Sequence, residues 1–113
     1  MDITAETAQA IGLIRKAKRI VALSGAGIST EAGIPDFRGP GGMWEDSGLL
    51  QQMSASGFRR SPEGFYRASV NLFSTIARAE PTPAHRLLVR LEELGKLRAV
   101  VTQNIDGLHH AAG

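Results

Sequence analysis

Cysteine is absent from the 113 residues of this chain, which excludes disulfide bonds and thiolate metal sites within it. Long apolar runs are absent too, since the longest covers residues 20–23 and a membrane-spanning helix needs roughly 20 apolar residues. The chain opens with Met-Asp and shows no basic and apolar leader typical of a secretory signal. These absences lead us to expect a cytoplasmic protein with no membrane partner.

The chain also lacks a large excess of charge of one sign, and its aromatic residues are few. Lys and Arg number 13 against 11 Asp and Glu, and aromatic residues make up 5% of the chain. Basic clusters occur at residues 15–19 and at Arg59-Arg60, but neither is accompanied by the aromatic residues that stack on nucleic-acid bases. We interpret both clusters as solvated surface and expect no direct nucleic-acid partner.

What is present is the composition of a single globular domain, with 42% hydrophobic and 21% charged residues. A helix is predicted over residues 4–19, with Thr4 as its N-cap and Ile11, Ile14 and Ala17 on its apolar side. Residues 20–23 follow as a strand that is apolar throughout, which is typical of a strand buried on both faces of a parallel sheet.

Two further helices are predicted from their first residues, because Ser61-Pro62 and Thr82-Pro83 each combine an N-cap with a proline at the first helical position. We expect both helices to pack through apolar stripes. The stripes comprise Phe65, Leu72, Phe73 and Ile76 in the first helix, and Ala84, Leu87, Leu88, Leu91 and Leu94 in the second. A second strand is predicted over residues 97–102, after Gly95 ends the helix.

This order of elements indicates an α/β protein with a parallel sheet. Because two strands do not form a stable sheet of this kind, we expect the 113 residues to be the first part of a longer chain. A Gly- and Pro-rich loop at residues 34–44 separates the first strand from the later helices, and loops of such length without secondary structure are often functional.

Two parts of the sequence could carry chemistry, and the first is a glycine turn. Gly25-Ala26-Gly27 directly follows the first strand, as in the turn that brings a pyrophosphate close to the backbone in dinucleotide-binding proteins. Thr30 replaces the third glycine of that fingerprint. The turn alone therefore supports two interpretations equally. One is a nucleotide-binding turn, and the other is a strand-to-helix turn that needs glycine only for its geometry.

The second part consists of Asp36-Phe37-Arg38 in the loop and residues 103–106 after the second strand. Because both strands of a parallel pair end at one edge of the sheet, we expect these segments and the glycine turn to face one crevice. Arg38 could pair with a phosphate and Phe37 could cover a ring, while Asn104 and Asp106 could hold ribose hydroxyls or an amide. The alternative is an Asx turn within residues 103–106 that caps the following helix and needs no ligand.

Residues 25–39 (GAGISTEAGIPDFRG) and 102–109 (TQNIDGLH) resemble the signature motifs of the sirtuins, the NAD-dependent protein-lysine deacylases. Pro83-Ala84-His85 matches the family's helix start between them. The resemblance implies a Rossmann-like parallel sheet, incomplete in this chain, formed by residues 1–33 and 82–113. It further implies a cofactor-binding loop at 34–44 and a helical insertion at 45–81 that belongs to a smaller domain.

The resemblance also implies a set of NAD-binding residues. The set comprises Gly25, Ala26, Gly27, Ser29, Thr30, Asp36, Phe37, Arg38, Gln103, Asn104, Ile105 and Asp106. The glycine turn would approach the pyrophosphate, with Arg38 positioning the phosphates and Phe37 shielding the nicotinamide ribose. Asn104 would be the catalytic residue of this chain, at that ribose, and Asp106 would hold the carboxamide.

The implied reaction removes acetyl groups from lysines of partner proteins and yields nicotinamide and O-acetyl-ADP-ribose. The family's catalytic histidine and its four-cysteine zinc module correspond to sequence beyond Gly113, so the 113 residues alone are expected to be inactive and to hold no metal. We interpret His85 as a packing or hydrogen-bonding residue, and His109 matches a histidine that is not catalytic in the family. The oligomeric state is not predicted.

The same resemblance is compatible with two alternative functions: mono-ADP-ribosyl transfer from NAD to proteins, and non-catalytic binding of NAD or ADP-ribose.

A preference for succinyl- or malonyl-lysine is not supported, because Ser69 stands where those sirtuins carry an arginine three residues after the tyrosine, here Tyr66. The predominance of arginine over lysine, with abundant Ala and Gly, favours a bacterial source.

Overall fold

The fold combines six α-helices and two strands in the described part of the chain. It is a computed structural model that describes residues 3–113, with the side chains of Trp44 and Ser47 outside the described part. The elements are α1 (Ala5–Lys16), β1 (Ile20–Ser24), α2 (Ser47–Gln52), α3 (Ala55–Arg60), α4 (Pro62–Arg78), α5 (Pro83–Glu93), β2 (Leu97–Thr102) and α6 (Leu108–Ala112), with 3₁₀ helices at Ala26–Ala32 and Met43–Glu45. No helix within residues 3–113 is long and apolar enough to cross a membrane.

The two strands form a parallel pair, which confirms the predicted α/β class. Ser24 lies opposite Thr102, so β1 and β2 end at the same edge of the sheet. The expectation that β1 is buried on both faces is wrong for the described residues, because Val21 is 63% and Leu23 is 74% exposed. These two side chains share one face of the pleat, and that face is open to solvent in this structure.

The predicted helix starts are confirmed, while the predicted apolar stripes are only partly correct. Ser61 caps α4 by accepting from the Gly64 N–H, and Thr82 caps α5 by accepting from the His85 N–H. Three members of the predicted stripes are more than half exposed, namely Phe73, Leu87 and Leu94. Leu91 of the predicted α5 stripe is buried as expected, whereas the buried Ser69 in α4 and His85 in α5 lie outside the predicted stripes.

Helix α1 ends at Lys16, three residues before the predicted end. Lys96, which immediately precedes β2, donates from Nζ to the main-chain oxygens of Ile14 at 3.2 Å, Arg15 at 2.7 Å and Ala17 at 2.9 Å. The ammonium group thus satisfies carbonyls that the end of a helix leaves without partners. The chain then turns early and enters β1.

The segment between the glycine turn and α5 holds three packed helices within the predicted helical insertion at 45–81, and of these α4 alone was predicted as an individual helix. Helices α2, α3 and α4 pack on one another, whereas α5 and α6 pack together and α5 packs on β2. The rings of Phe58, Phe65 and Tyr66 meet edge to face, with centroids 5.2–6.0 Å apart. This packing separates a helical part from the part that holds the sheet, although the predicted division into two domains stays a prediction.

Candidate functional site

The site begins where the two strands end. The Ser24 hydroxyl donates to Thr102 Oγ1 at 2.8 Å, and the Gln103 N–H donates to the Ser24 carbonyl at 3.1 Å. One step further on, the Asn104 side chain donates from Nδ2 to the Gly25 carbonyl at 2.9 Å. These bonds hold the glycine turn and residues 103–106 side by side, which confirms that the two turns face one crevice.

The crevice consists of two adjoining depressions of about 180 and 280 Å³ that share Ala26, Phe37 and Gln103. Together their walls include every predicted NAD-binding residue except Gly25 and Thr30. Gly25 contributes its carbonyl to Asn104, while Thr30 is exposed and its hydroxyl donates to the Gly27 carbonyl at 3.0 Å.

The smaller depression is apolar along most of its wall and polar at one end. Ile34 and Met43 are buried beneath it, and α4 contributes Leu72 and Ile76. Asn104 and Asp106 lie at the polar end. Such a depression suits a flat ring that carries one hydrogen-bonding group.

Asp106 is held by the protein on both carboxylate oxygens. Its Oδ2 accepts from the hydroxyl of Ser29, a fully buried residue, at 2.7 Å, and its Oδ1 accepts from the Leu108 N–H at 3.0 Å. The second bond is the Asx turn that was the alternative to a ligand site, so the turn and the crevice coexist. A carboxylate has about four acceptor positions, so Asp106 keeps capacity for a ligand. The main-chain N–H of Ile105 has no acceptor within residues 3–113.

The loop that carries Phe37 and Arg38 is closed by its own hydrogen bonds. Asp36 accepts from the Gly39 N–H at Oδ1, at 3.0 Å, and its carbonyl accepts from the Met43 N–H at 2.8 Å. Phe37 is 49% exposed and forms part of both depressions. The carboxylate of Asp36, predicted to bind the cofactor, thus shapes the loop beside the larger depression, where it also forms part of the wall.

His85, in the first turn of α5, is fully buried. The Thr82 N–H donates to its Nδ1 at 3.1 Å, which confirms His85 as a hydrogen-bonding residue, and its Nε2 has no partner within residues 3–113. Burial lowers the pKa of His85, His109 lowers it further, and Asp106 opposes both effects. The two imidazole rings lie 4.8 Å apart between centroids.

The sequence interpretation missed a group of polar residues that supports the site: Ser24, Thr102 and His109. Nε2 of His109 lies 2.7 Å from the Ser24 hydroxyl oxygen. The sequence did contain a signal, because each predicted strand is followed by or ends in a residue with a hydroxyl group, Ser24 and Thr102. The structure pairs these two residues across the sheet. Among the described residues, no cluster of His, Asp and Glu could hold a metal ion.

Comparisons with known proteins identify the family of this chain. The profile of the Sir2 family matches residues 25–113. The chain is 45% identical over 106 residues to NAD-dependent protein deacetylase 2 of Caldanaerobacter subterraneus, covering 93% of this chain and 42% of the relative. It is 44% identical over 108 residues to NAD-dependent protein deacylase 2 of Archaeoglobus fulgidus, covering 96% of this chain and 42% of the relative.

Solved structures show the same similarity. A structure of a Sir2 homologue mutant with ADP-ribose superposes with a TM-score of 0.84 at 36% identity, over 93% of this chain and 42% of the other. A Sir2 mutant with a deacetylated p53 peptide and 3′-O-acetyl ADP-ribose gives a TM-score of 0.81 at 42% identity, over 94% and 43%. The chain thus spans about 42% of the length of the curated relatives just described. It belongs to the Sir2 family, the sirtuins.

Proposed function

We propose that this chain forms part of the NAD site of an NAD-dependent protein-lysine deacetylase that produces nicotinamide and O-acetyl-ADP-ribose. The observation that carries the proposal is the apolar depression closed at its polar end by Asn104 and Asp106. The names of the relatives, NAD-dependent protein deacetylases and deacylases, support the cofactor and the reaction. Acetylated proteins are the proposed partners, supported by the peptide in the similar Sir2 structure.

The residues of the crevice fit the nicotinamide end of NAD. The carboxamide needs an acceptor for its NH₂ group and a donor for its oxygen, and the Asp106 carboxylate and the Ile105 N–H offer both. The apolar wall suits the flat ring. Gly27 and Arg38 form part of the adjoining depression, where a main-chain turn and a guanidinium suit the pyrophosphate.

In this proposal, each residue binds or orients a part of the cofactor. Bound NAD supplies the ribose carbon from which nicotinamide departs. Asp106, fixed by Ser29, sets the rotation of the carboxamide, and the wall formed by Ile34 and Met43 excludes water from the ring. Because Nδ2 of Asn104 is committed to the Gly25 carbonyl, Oδ1 is the atom left to accept from a ribose hydroxyl or an ordered water.

The test is a pair of measurements on the full-length protein. Titration with NAD should show saturable binding, and incubation with an acetylated peptide should release nicotinamide and O-acetyl-ADP-ribose in equal amounts. Transfer of labelled ADP-ribose onto protein in place of these products would identify an ADP-ribosyltransferase. Binding without turnover would identify a non-catalytic binding module, and the absence of NAD binding would overturn the proposal.

A further inference from the structure

We propose that His109 is a positioning residue that holds Asn104 in place through Ser24 and Thr102. The inference deepens the proposed function and rests on it, because Asn104 is the residue placed there at the nicotinamide ribose. His109 lines neither of the two depressions of the crevice, and in this inference it acts through a chain of hydrogen bonds.

The chain of hydrogen bonds joins three elements at the edge of the sheet. His109 lies in α6, and its Nε2 is 2.7 Å from the hydroxyl of Ser24, the last residue of β1. Ser24 donates to Thr102 Oγ1 of β2 at 2.8 Å. Thr102 Oγ1 in turn accepts from the main-chain N–H of Asn104 at 3.1 Å.

The direction of each bond follows from the available hydrogens. Ser24 has a single hydroxyl hydrogen, and that hydrogen is directed to Thr102. The Ser24 oxygen can therefore meet His109 only as an acceptor, so Nε2 of His109 must carry a hydrogen. What the site requires at position 109 is thus a hydrogen-bond donor and not merely a ring.

Loss of this donor should affect Asn104 because it leaves the Ser24 hydroxyl free to rotate. Without His109, the Ser24 hydroxyl can rotate to other acceptors, and Thr102 loses the partner that orients it. The main chain of Asn104 then loses its fixed acceptor, while the side chain depends on the Gly25 carbonyl alone. Because Oδ1 of Asn104 is the proposed contact to the cofactor, a small rotation there changes catalysis more than it changes folding.

The chain offers matched variants for the test. His109→Phe keeps a flat ring and removes the donor, whereas His109→Gln keeps an N–H donor at similar reach. His110, the next residue, is exposed and makes no side-chain hydrogen bond within residues 3–113, so His110→Phe is the control. Ser24→Ala breaks the same chain of bonds at its middle with a smaller change of volume.

In the full-length protein, we expect His109→Phe and Ser24→Ala to lower kcat/KM for NAD by about tenfold or more, with most of the loss in kcat. His109→Gln should recover most of the activity, and His110→Phe should stay within about twofold of the unaltered protein. A loss in His109→Gln as large as that in His109→Phe, or larger, would overturn the inference, because a role of the ring in packing alone predicts that the phenyl ring preserves activity and glutamine does not.

A second measurement is independent of turnover. The exchange of the Asn104 main-chain amide with solvent, followed by NMR, should accelerate in His109→Phe and Ser24→Ala but not in His110→Phe. Unchanged exchange in both of the first two variants would overturn the inference. If the unaltered protein binds no NAD, the proposed function fails, and the exchange rates still decide whether His109 holds Asn104.

Discussion

The hydroxyl of Ser29 donates to the Asp106 carboxylate at 2.7 Å, across 77 positions of the sequence. Ser29 is fully buried in the 3₁₀ helix that begins within the glycine turn, and Asp106 lies in the turn after β2. The bond therefore fixes the two turns relative to each other. Since Leu108 binds the other oxygen, the carboxylate is oriented before any ligand arrives, and little reorganisation is needed on binding.

Replacing this carboxylate should separate ligand binding from folding. Asn in Asp106→Asn keeps an oxygen for the Leu108 N–H and an amide that can donate to Ser29, but it loses the charge that suits a carboxamide NH₂. We expect the rate of nicotinamide exchange in the full-length protein to fall by about tenfold or more, or about 1.4 kcal/mol. The free energy of unfolding, from urea titration, should change by less than about 1 kcal/mol.

Asp46→Asn is the matched control for this substitution. Asp46 caps α2 by accepting from the Leu49 N–H at 3.0 Å, and Asn is an equally good N-cap. This variant should leave both the exchange rate and the stability unchanged. An unaltered exchange rate in Asp106→Asn would remove the proposed role of Asp106.

The closed loop gives a prediction about Gly42. A Cβ at this position would lie 2.8 Å from the Gly39 carbonyl oxygen and 2.9 Å from the Asp36 carbonyl oxygen, both main-chain atoms that cannot move aside easily. Gly42→Ala should therefore open the loop that carries Phe37 and weaken NAD binding by about tenfold, as measured by calorimetric titration. Gly12→Ala is the control, because a Cβ in that turn of α1 meets nothing within 4 Å. It should stabilise the protein by about 0.5–1 kcal/mol and leave NAD affinity unaltered.

The sequence predicts those features that depend on neighbours along the chain. Thr82 caps the helix that begins beside it, so the start of α5 can be read from two residues. The exposure of Leu87 and Val21 depends on which elements cover them, and helical or strand spacing carries no such information. The same holds for the bond between Ser29 and Asp106, whose partners are brought together only by the parallel pairing of β1 and β2. Helix α2 could have been predicted, since Asp46 is a typical N-cap three residues before Leu49.

Lys96 gives a prediction about stability that does not involve the crevice. Its ammonium group donates to three main-chain oxygens at the end of α1, from Ile14 to Ala17. Lys96→Met keeps the aliphatic stem and removes these bonds, so we expect the free energy of unfolding to fall by about 1–2 kcal/mol. Lys18→Met, at an exposed position nearby, should change it by less than about 0.5 kcal/mol. Urea denaturation measures both, and equal effects of the two substitutions would show that Lys96 does not cap the helix.

The buried imidazole of His85 makes stability depend on pH. Burial, and then His109, lower its pKa below the ordinary 6.5, while Asp106 opposes the shift. The unfolded chain therefore takes up a proton first as the pH falls through 6.5, and the free energy of unfolding decreases from there until the lowered pKa of the folded state is reached. His85→Gln keeps a residue suited to the third position of the capping box and removes this titration, so its stability should vary less with pH over that range.

His110→Gln is the control for this pH dependence, because His110 is exposed and lies one residue from His109 on the same helix. Its free energy of unfolding should follow the same pH curve as that of the unaltered protein. The measurement is a series of urea titrations between about pH 7.5 and pH 5.5, a range that brackets the ordinary histidine pKa. A curve for His85→Gln as steep as that of the unaltered protein would mean that another group takes up the proton on unfolding. The burial of His85 would then not explain the fall in the free energy of unfolding at acid pH.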